Sequence, residues 1–143
     1  MRIVNVAKVL IRRSSDGKYL LLRSSKWEER QDRSQKPDLA GGVVEPGETI
    51  PQGAAREVFE EAGLVVDPKD LELVYALTFK SDHDGASINR SIFFTEVNGS
   101  PEVTLSTEHE EFWWATKDEL LQLEIRQPYE DIFAYLNDVG ILN

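Results

Sequence analysis

Three glutamates in the middle of the chain are spaced so that a helix would bring their carboxylates together. Glu57 lies three residues before Glu60 and four before Glu61, and residues at those spacings share one face of an α-helix. Two unit charges about 4 Å apart repel by about 4 kcal/mol at an effective dielectric constant of about 20. A folded helix therefore needs a compensating cation here, and a bound divalent metal ion is the simplest one. The spacing alone is equally typical of a solvated acidic face.

The donor atoms available to this cluster favour a hard metal ion. All candidate ligands are oxygens, because the chain has no cysteine and only two histidines. This set favours Mg²⁺, with Mn²⁺ as the alternative, over zinc. Mg²⁺ in proteins usually binds substrate phosphates alongside one or two carboxylates, which indicates chemistry at a phosphate ester or anhydride.

A helix over residues 50–62 is predicted, and it would position the three carboxylates. Thr49 and Gln52 have the spacing of a capping box at its start, and Gly63 is typical of the residue that ends a helix. Apolar side chains recur along it at helical spacing, namely Ala55, Val58, Phe59 and Ala62.

Strands and further helices are predicted on both sides of this helix. Runs typical of strands are residues 3–12, 18–23, 71–79, 88–97 and 112–114. The first two runs are joined by an Asp16-Gly17 turn, and a turn at Asn98-Gly99 is predicted to lead into a further strand over residues 102–105. A capping box at Thr116 and Glu119 predicts a short helix, and Gly140 ends a last amphipathic one. The apolar residues of that last helix are Tyr129, Ile132, Phe133, Leu136 and Val139. Together these elements predict a mixed sheet sandwiched between helices.

Length, charge and composition exclude several classes of protein. The 143 residues predict one domain over residues 1–143, and the net charge of −10 disfavours stable binding to nucleic acid or to a membrane surface. No apolar run approaches the length of about 18 residues that spans a bilayer. The opening apolar stretch is interrupted by Asn5 and Lys8, so it predicts a buried strand rather than a signal peptide. Because the chain has no cysteine, a cytoplasmic location is expected.

A polar segment over residues 24–36 is predicted to be a long exposed loop. Loops of this length inside compact domains often serve binding, so the segment is a candidate to face a substrate. A solvated linker explains its composition equally well. The cations directly before it and on it that could contact phosphate are Arg23, Lys26, Arg30 and Arg33.

Residues 42–64 carry a specific pattern, which begins at Gly42 and continues with Glu48. The remaining positions are Arg56, Glu57, Val58, Glu60, Glu61, Gly63 and Leu64. In spacing and residue type this segment resembles the Nudix box, with no gap and no substitution. The length of the chain and the strands on both sides of the box are also similar to a minimal Nudix domain. One neighbouring difference is Ala40, where many members have proline, and it should alter the stiffness of the loop rather than ligation.

The resemblance implies an α/β/α sandwich around a central mixed β-sheet. It also implies hydrolysis of a pyrophosphate bond in a nucleoside diphosphate derivative or a nucleoside triphosphate, by attack of a metal-activated water on phosphorus. The metal ligands, direct or through water, would be Glu57, Glu60 and Glu61, with the backbone carbonyl of Gly41. Arg56 would orient these carboxylates by pairing with Glu60 or Glu48.

The general base implied by the family lies either in the box, at Glu57, or in a loop before a late strand. The candidates in that loop are Glu108, Glu110 and Glu111. The segment resembles the Glu-His-x-Glu stretch of many members, which favours Glu108 as an additional ligand or base, although a solvated loop would look the same. His109 is expected to lie exposed. Trp113 and Trp114 are expected in the core more than stacked on a base.

Other functions are weighed against this interpretation. A non-catalytic Nudix-like module that senses a nucleotide is the main alternative. The isoprenoid diphosphate isomerases share the fold but use a cysteine, which this chain lacks, and RNA decapping is disfavoured by the acidity. The expected partner is a small nucleotide-type substrate; many members of the family form homodimers, but the sequence does not specify the oligomeric state. The sequence does not specify the base, sugar or leaving group, which depend on the shape of the pocket.

Overall fold

The computed structural model describes residues 2–25, 36–123 and 129–143, with the side chain of Glu130 excepted. The strands are β1 (Ile3–Arg13), β2 (Tyr19–Ser24), β3 (Pro37–Asp38), β4 (Ala40–Val43), β5 (Glu72–Lys80), β6 (Ser87–Val97) and β7 (His109–Ala115). The helices are α1 (Ile50–Ala62), α2 (Lys117–Gln122) and α3 (Tyr129–Asp138), with a 3₁₀ turn at Pro68–Asp70. No helix within these ranges is long and apolar enough to cross a membrane.

The strands form one mixed sheet in which β1 is central. The order is β3-β2-β1-β6-β5, and β4 pairs with β1 while β7 pairs with β2. Along one edge β1 is parallel to β6 over its full length, from Ile3 opposite Ser87 to Arg13 opposite Val97. Its other edge is divided between β4, opposite residues 6–9, and β2, opposite Arg12. The first strand therefore pairs with β2, β4 and β6, while β3 and β7 pair with β2.

Helices cover both faces of the sheet, which confirms the predicted sandwich. Alternate side chains of β1 point to opposite faces. Leu10 belongs to a core with Ile132, Phe133 and Leu136 of α3, and its neighbour Val9 to a core with α1. The helix residues in that second core are Ala54, Val58 and Ala62.

The ends of α1 are as predicted. The backbone N–H of Gln52 donates to Thr49 Oγ1 at 3.2 Å, and the N–H of Thr49 donates to Gln52 Oε1 at 2.9 Å. Gly63 has a φ of +71° and its N–H donates to the Phe59 carbonyl at 2.9 Å. A left-handed residue here favours glycine, because other side chains would be strained.

Residues 102–105 are not a strand, contrary to the turn-and-strand pattern of the sequence. The N–H of Thr104 donates to the Ala62 carbonyl at 2.9 Å, and the N–H of Ser106 donates to the Glu61 carbonyl at 3.1 Å. These donors bind carbonyls that the end of a helix leaves without an internal partner. The segment is therefore used to cap α1 rather than to extend the sheet.

Two apolar positions of the predicted helical faces are exposed. Phe59, on α1, is 58% exposed, and Val139, which follows the end of α3, is 52% exposed. The sequence therefore predicts an apolar face that is wider than the buried face of α1 and that extends one residue beyond the end of α3. Trp113 and Trp114 are half-buried and pack against opposite cores, which confirms their expected place in the core.

The capping box of α1 makes a prediction about stability. Replacing Thr49 by Ala removes the acceptor for the Gln52 N–H, so the free energy of unfolding should fall by about 1 kcal/mol. Denaturant unfolding of the variant measures this change. Thr107→Ala, at an exposed turn position, is the matched control, and equal losses in both variants would show that the cap does not stabilise the helix.

Candidate active site

A cavity of about 230 Å³ lies between α1, the β1–β4 pair and the start of β7. Its carboxylate-bearing lining residues are Asp38, Glu57, Glu61 and Glu108, and its other ionisable lining residues are Lys8, Arg90 and His109. This concentration of charge in one concave place identifies the cavity as the candidate active site.

Glu61 is the most buried carboxylate of the α1 cluster, with 5% of its surface exposed. Its Oε1 accepts a hydrogen bond of 2.8 Å from the backbone N–H of Gly41. Burial raises the pKa of Glu61 to about 8, although the charge of Lys8 and the Gly41 N–H act in the opposite direction. Without a bound cation, the fold therefore favours the protonated form of this side chain at neutral pH.

Gly41 must be a glycine for this contact to form. Its φ is +138°, and a Cβ at this position would collide with the carbonyl oxygen of Ala7 in the neighbouring strand. The close approach of β4 to β1 thus depends on the absence of a side chain. It brings the Gly41 N–H within reach of α1.

Lys8 is a buried cation that holds the β3–β4 segment. It is 7% exposed, and its Nζ donates to the Gly41 carbonyl at 2.9 Å and to Asp38 Oδ2 at 3.1 Å. Asp38 Oδ1 in turn accepts from the Tyr129 hydroxyl at 2.7 Å. The Gly41 carbonyl, implied as a metal ligand, is thus already an acceptor of the Lys8 ammonium. A carbonyl oxygen has a second lone pair, so this bond does not prevent ligation.

Glu57 also faces the cavity, and its position depends on Gly42. A Cβ on Gly42 would lie 2.6 Å from Glu57 Oε2, so the carboxylate packs directly against the glycine Cα. Arg56 Nη1 donates to Glu57 Oε1 at 3.0 Å. Burial raises the pKa of Glu57, and this hydrogen bond partly opposes the shift.

Arg56 relieves the charge repulsion that the sequence predicts on α1. Its guanidinium donates to Glu48 at 2.8 and 3.0 Å and to Glu57 and Glu60 at 3.0 Å each. The predicted pairing with Glu48 or Glu60 is confirmed, and both pairs form. Hydrogen bonding to Glu48 is the main cause that raises the pKa of Arg56. An arginine of the chain itself is therefore a compensating cation for two of the three carboxylates.

Glu60 does not line the cavity with Glu57 and Glu61. Its side chain is 54% exposed and its Oε2 accepts from Arg56. Successive residues of an α-helix are turned by about 100°, so Glu60 and Glu61 point in different directions. The structure thus brings two of the three predicted carboxylates to the cavity, and ligation by Glu60 stays a prediction.

Glu61 meets two residues from the opposite side of the cavity, Glu108 and His109. One ligand atom from each of the three lies within 4.8 Å of the other two. His109 is 7% exposed, so the expectation that it lies exposed is wrong. It is the first residue of β7 and pairs with Ser24 beside an irregularity in the β2–β7 register. Burial lowers the pKa of His109, which favours the neutral imidazole.

Other residues predicted for the site lie elsewhere. Glu111 Oε1 accepts from Arg23 Nε at 2.6 Å, and the Arg23 guanidinium lies 4.9 Å from the centre of the Trp113 ring. Neither Arg23 nor Glu111 lines the cavity, and Glu110 is exposed. Lys26, Arg30 and Arg33, predicted to contact phosphate, lie outside the described residues.

Sequence reasoning missed several cavity residues, although two of them left a signal. Lys8 is a cation inside an apolar run, Val-Ala-Lys-Val-Leu, and Arg90 lies in a predicted strand just before the apolar residues Ile-Phe-Phe. A charged residue at a position that should be buried indicates a paired or functional group. Asp38 left no comparable signal, because only Pro37 separates it from the polar segment that the sequence predicts to be a loop.

The donor set fits a divalent cation. Two carboxylates and a neutral imidazole converge, and the Nδ1 of His109 is buried with no hydrogen-bond partner among the described residues. The carboxylate oxygens suit Mg²⁺ and Mn²⁺, whereas the imidazole, which the sequence did not place in the ligand set, suits zinc and other transition metals. The cavity could therefore hold such an ion between α1 and the start of β7.

Comparison with known proteins identifies the family of this chain. A NUDIX domain model matches residues 1–136. A MutT-like protein of Streptomyces ambofaciens is 35% identical over 120 residues, which cover 82% of this chain and 66% of that protein. The nucleoside triphosphatase NudI of Escherichia fergusonii is 31% identical over 123 residues, which cover 78% of this chain and 82% of that protein.

A solved structure has the same fold. The crystal structure of a MutT protein from Methanosarcina mazei Go1 superimposes with a TM-score of 0.82 at 28% identity. The superposition covers 97% of this chain and 96% of that one. The strand order and the helices on both faces are thus shared along nearly the whole length.

The buried carboxylate of Glu61 predicts a pH dependence of stability. Its folded pKa of about 8 lies above its ordinary value, so its contribution to stability is complete below about pH 4.3 and is lost as the pH rises toward 8. In metal-free buffer, the Tm of the wild type should fall between about pH 5 and 8 relative to that of Glu61→Gln. Thermal unfolding across this range measures the difference.

The control for this experiment is Glu102→Gln, which removes an exposed carboxylate. Its pH profile should run parallel to that of the wild type. Because the other ionisable residues are present in all three proteins, the difference isolates Glu61. Parallel profiles for the wild type and Glu61→Gln would contradict the raised pKa.

Proposed function

The chain belongs to the Nudix hydrolase family, and from this premise we propose that it hydrolyses a pyrophosphate bond in a nucleoside diphosphate derivative or a nucleoside triphosphate. We further propose Mg²⁺ as its cofactor, with Mn²⁺ as a substitute. The convergence of Glu61, Glu108 and His109 within 4.8 Å, in a cavity also lined by Glu57, carries the proposal. The name of the similar NudI protein, a nucleoside triphosphatase, supports the substrate class.

Residues from three parts of the chain would hold the metal. Glu61 comes from α1, Glu108 from the turn before β7, His109 from the first position of β7, and the Gly41 carbonyl from β4. When bound, the ion would neutralise pyrophosphate oxygens and lower the pKa of the attacking water. The fold contributes the fixed positions of these donors, because Glu61 is held by the Gly41 N–H and Gly41 by Lys8.

Glu57 is our candidate for the general base. It lines the same cavity, but it is not part of the cluster formed by Glu61, Glu108 and His109. A carboxylate that lies beside a metal site and does not bind the metal can accept the proton of the attacking water. Glu108 then serves as a ligand, which assigns the two roles that the sequence left open.

Arg56 and Glu60 would act by positioning Glu57. The guanidinium of Arg56 is fixed by Glu48 on one side and by Glu60 on the other. Its bond to Glu57 Oε1 leaves the second carboxylate oxygen, Oε2, beside Gly42 at the cavity. Glu60 would therefore influence the reaction through Arg56, even though its own carboxylate points away.

The proposal is tested with the full chain and a panel of nucleotides. The panel contains normal and oxidised dNTPs, ADP-ribose, dinucleoside polyphosphates and nucleotide sugars, each with Mg²⁺, and products are separated by chromatography. We expect hydrolysis of at least one compound, and loss of activity when EDTA is added.

Two substitutions connect the activity to the cavity. Glu61→Gln should lower kcat by orders of magnitude, because it removes a metal ligand at the reaction centre. Glu102→Gln, which removes the same charge at an exposed position, should leave kcat unchanged. Equal activity of Glu61→Gln and wild type would contradict the site. Nucleotide binding by the wild type without turnover would instead indicate the non-catalytic sensing module.

Gly42 provides a test of the position of Glu57. A methyl group on Gly42 overlaps Glu57 Oε2, so Gly42→Ala should displace the carboxylate and lower kcat by about a hundredfold. Gly42 has no positive φ, so the backbone accepts alanine and the Tm should change little. Steady-state kinetics and thermal unfolding measure both effects. Wild-type kcat in this variant would show that the position of Glu57 does not matter for the reaction.

A further inference from the structure

Two buried polar atoms have no hydrogen-bond partner in the part of the chain that the structure describes. They are Arg90 Nε and His109 Nδ1, and both residues line the candidate active-site cavity. Buried polar atoms almost always have a partner, so each exception needs an explanation. The proposed metal cluster explains His109. Arg90 remains, and its explanation must be a different group.

Arg90 is held inside the protein by aromatic rings. It is 3% exposed, and its guanidinium carbon lies 5.2 Å from the centre of the Phe79 ring and 5.4 Å from that of the Tyr129 ring. These contacts are of the cation–π type and hold the guanidinium group in place. The N–H groups of a guanidinium point outward in its plane, so the rings leave them free to bind a ligand.

Arg90 differs from the other cations of the site in having no anionic partner. Lys8 is paired with Asp38, and Arg56 with three glutamates. Arg90 forms no ion pair and no side-chain hydrogen bond with any described residue. A buried charge without a partner destabilises the fold. The missing partner is therefore expected to be an anion that enters the cavity.

The position of Arg90 separates it from the carboxylate cluster. Arg90 is on β6, opposite Val6 of β1, and it contacts Tyr129 of α3. Glu57 and Glu61 come from α1, which packs on the other face of the sheet. The cavity thus has Glu57 and Glu61 beside α1, and Arg90 beside Tyr129 of α3, whose hydroxyl donates to Asp38.

We propose that Arg90 binds a phosphate group of the substrate at the α3 end of the cavity, apart from the carboxylates of α1. This inference rests on the proposed function and deepens it, because it predicts a substrate with phosphate oxygens that reach beyond the metal cluster. Guanidinium groups are suited to phosphate, since two N–H groups can bind two oxygens at once. Arg90 is then a residue that determines specificity.

The test compares Arg90→Met with the wild type in metal-free buffer, with inorganic pyrophosphate as the probe. Titration calorimetry should show a Kd that is about ten- to a hundredfold higher in the variant, which is the effect of losing a charge-assisted hydrogen bond. Arg12→Met removes an equal charge from a pair with Glu96 outside the cavity and should leave the Kd unchanged. Arg90→Lys, which keeps the charge without the planar donor pair, should restore part of the affinity.

Thermal unfolding separates ligand binding from a structural role. Methionine fills much of the space between the rings and removes an unpaired charge, so the Tm of the ligand-free Arg90→Met variant should not fall. A fall in Tm together with an unchanged pyrophosphate Kd would overturn the proposal, as would no binding of pyrophosphate by the wild type.

A second probe, a neutral nucleoside without phosphate, identifies the group that Arg90 recognises. We expect equal nucleoside binding in the wild type and in Arg90→Met. Loss of nucleoside binding with unchanged pyrophosphate binding would overturn the phosphate assignment in favour of base recognition. None of these measurements needs turnover, so the nucleotide panel decides the proposed function separately. Where a substrate is hydrolysed, Arg90→Met should raise KM more than it lowers kcat.

Discussion

The site depends on one contact, the hydrogen bond from the Gly41 N–H to the buried carboxylate of Glu61. It joins β4 to α1 at a carboxyl whose pKa is raised by burial, and the N–H itself partly opposes that shift. The contact is possible only because Gly41 approaches Ala7 more closely than any side chain would allow. Lys8 completes the arrangement by binding the carbonyl of the same glycine. A helix, two strands and a buried ion pair thus meet at one residue.

Two cations beside the cavity, Lys8 and Arg56, are each paired with carboxylates. Arg56 is surrounded by three glutamates on one side of α1, and Lys8 is paired with Asp38 beneath β4. These pairs reduce the repulsion that a cluster of glutamates would otherwise create. Glu61 forms no ion pair of this kind with a described residue, and burial raises its pKa to about 8. A site that disfavours its own charged carboxylate is one that gains from a divalent cation.

Two cores allow the sheet to carry polar groups in its middle. Leu10 and its neighbours pack under α3, while Val9 and its neighbours pack under α1. Lys8 and Arg90 lie on adjacent strands of the same sheet, and burying these charges costs free energy that the apolar burial in the two cores must offset. The fold therefore stabilises a charged cavity that the strands alone would not tolerate.

Local patterns in the sequence determined the elements and the family, and tertiary structure decided which residues meet. The capping box at Thr49, the end of α1 at Gly63 and the apolar spacing of α3 depend on residues a few positions apart, so the sequence predicts them. The side chains of Lys8, Arg90 and His109 share a cavity because β1 pairs with β6 and β2 with β7, across roughly 80 positions of the chain. This long separation along the chain is also why the sequence did not predict the burial of His109. Helical spacing predicts that carboxylates are neighbours, but only packing against Gly41, Gly42 and the loop before β7 decides which of them face inward.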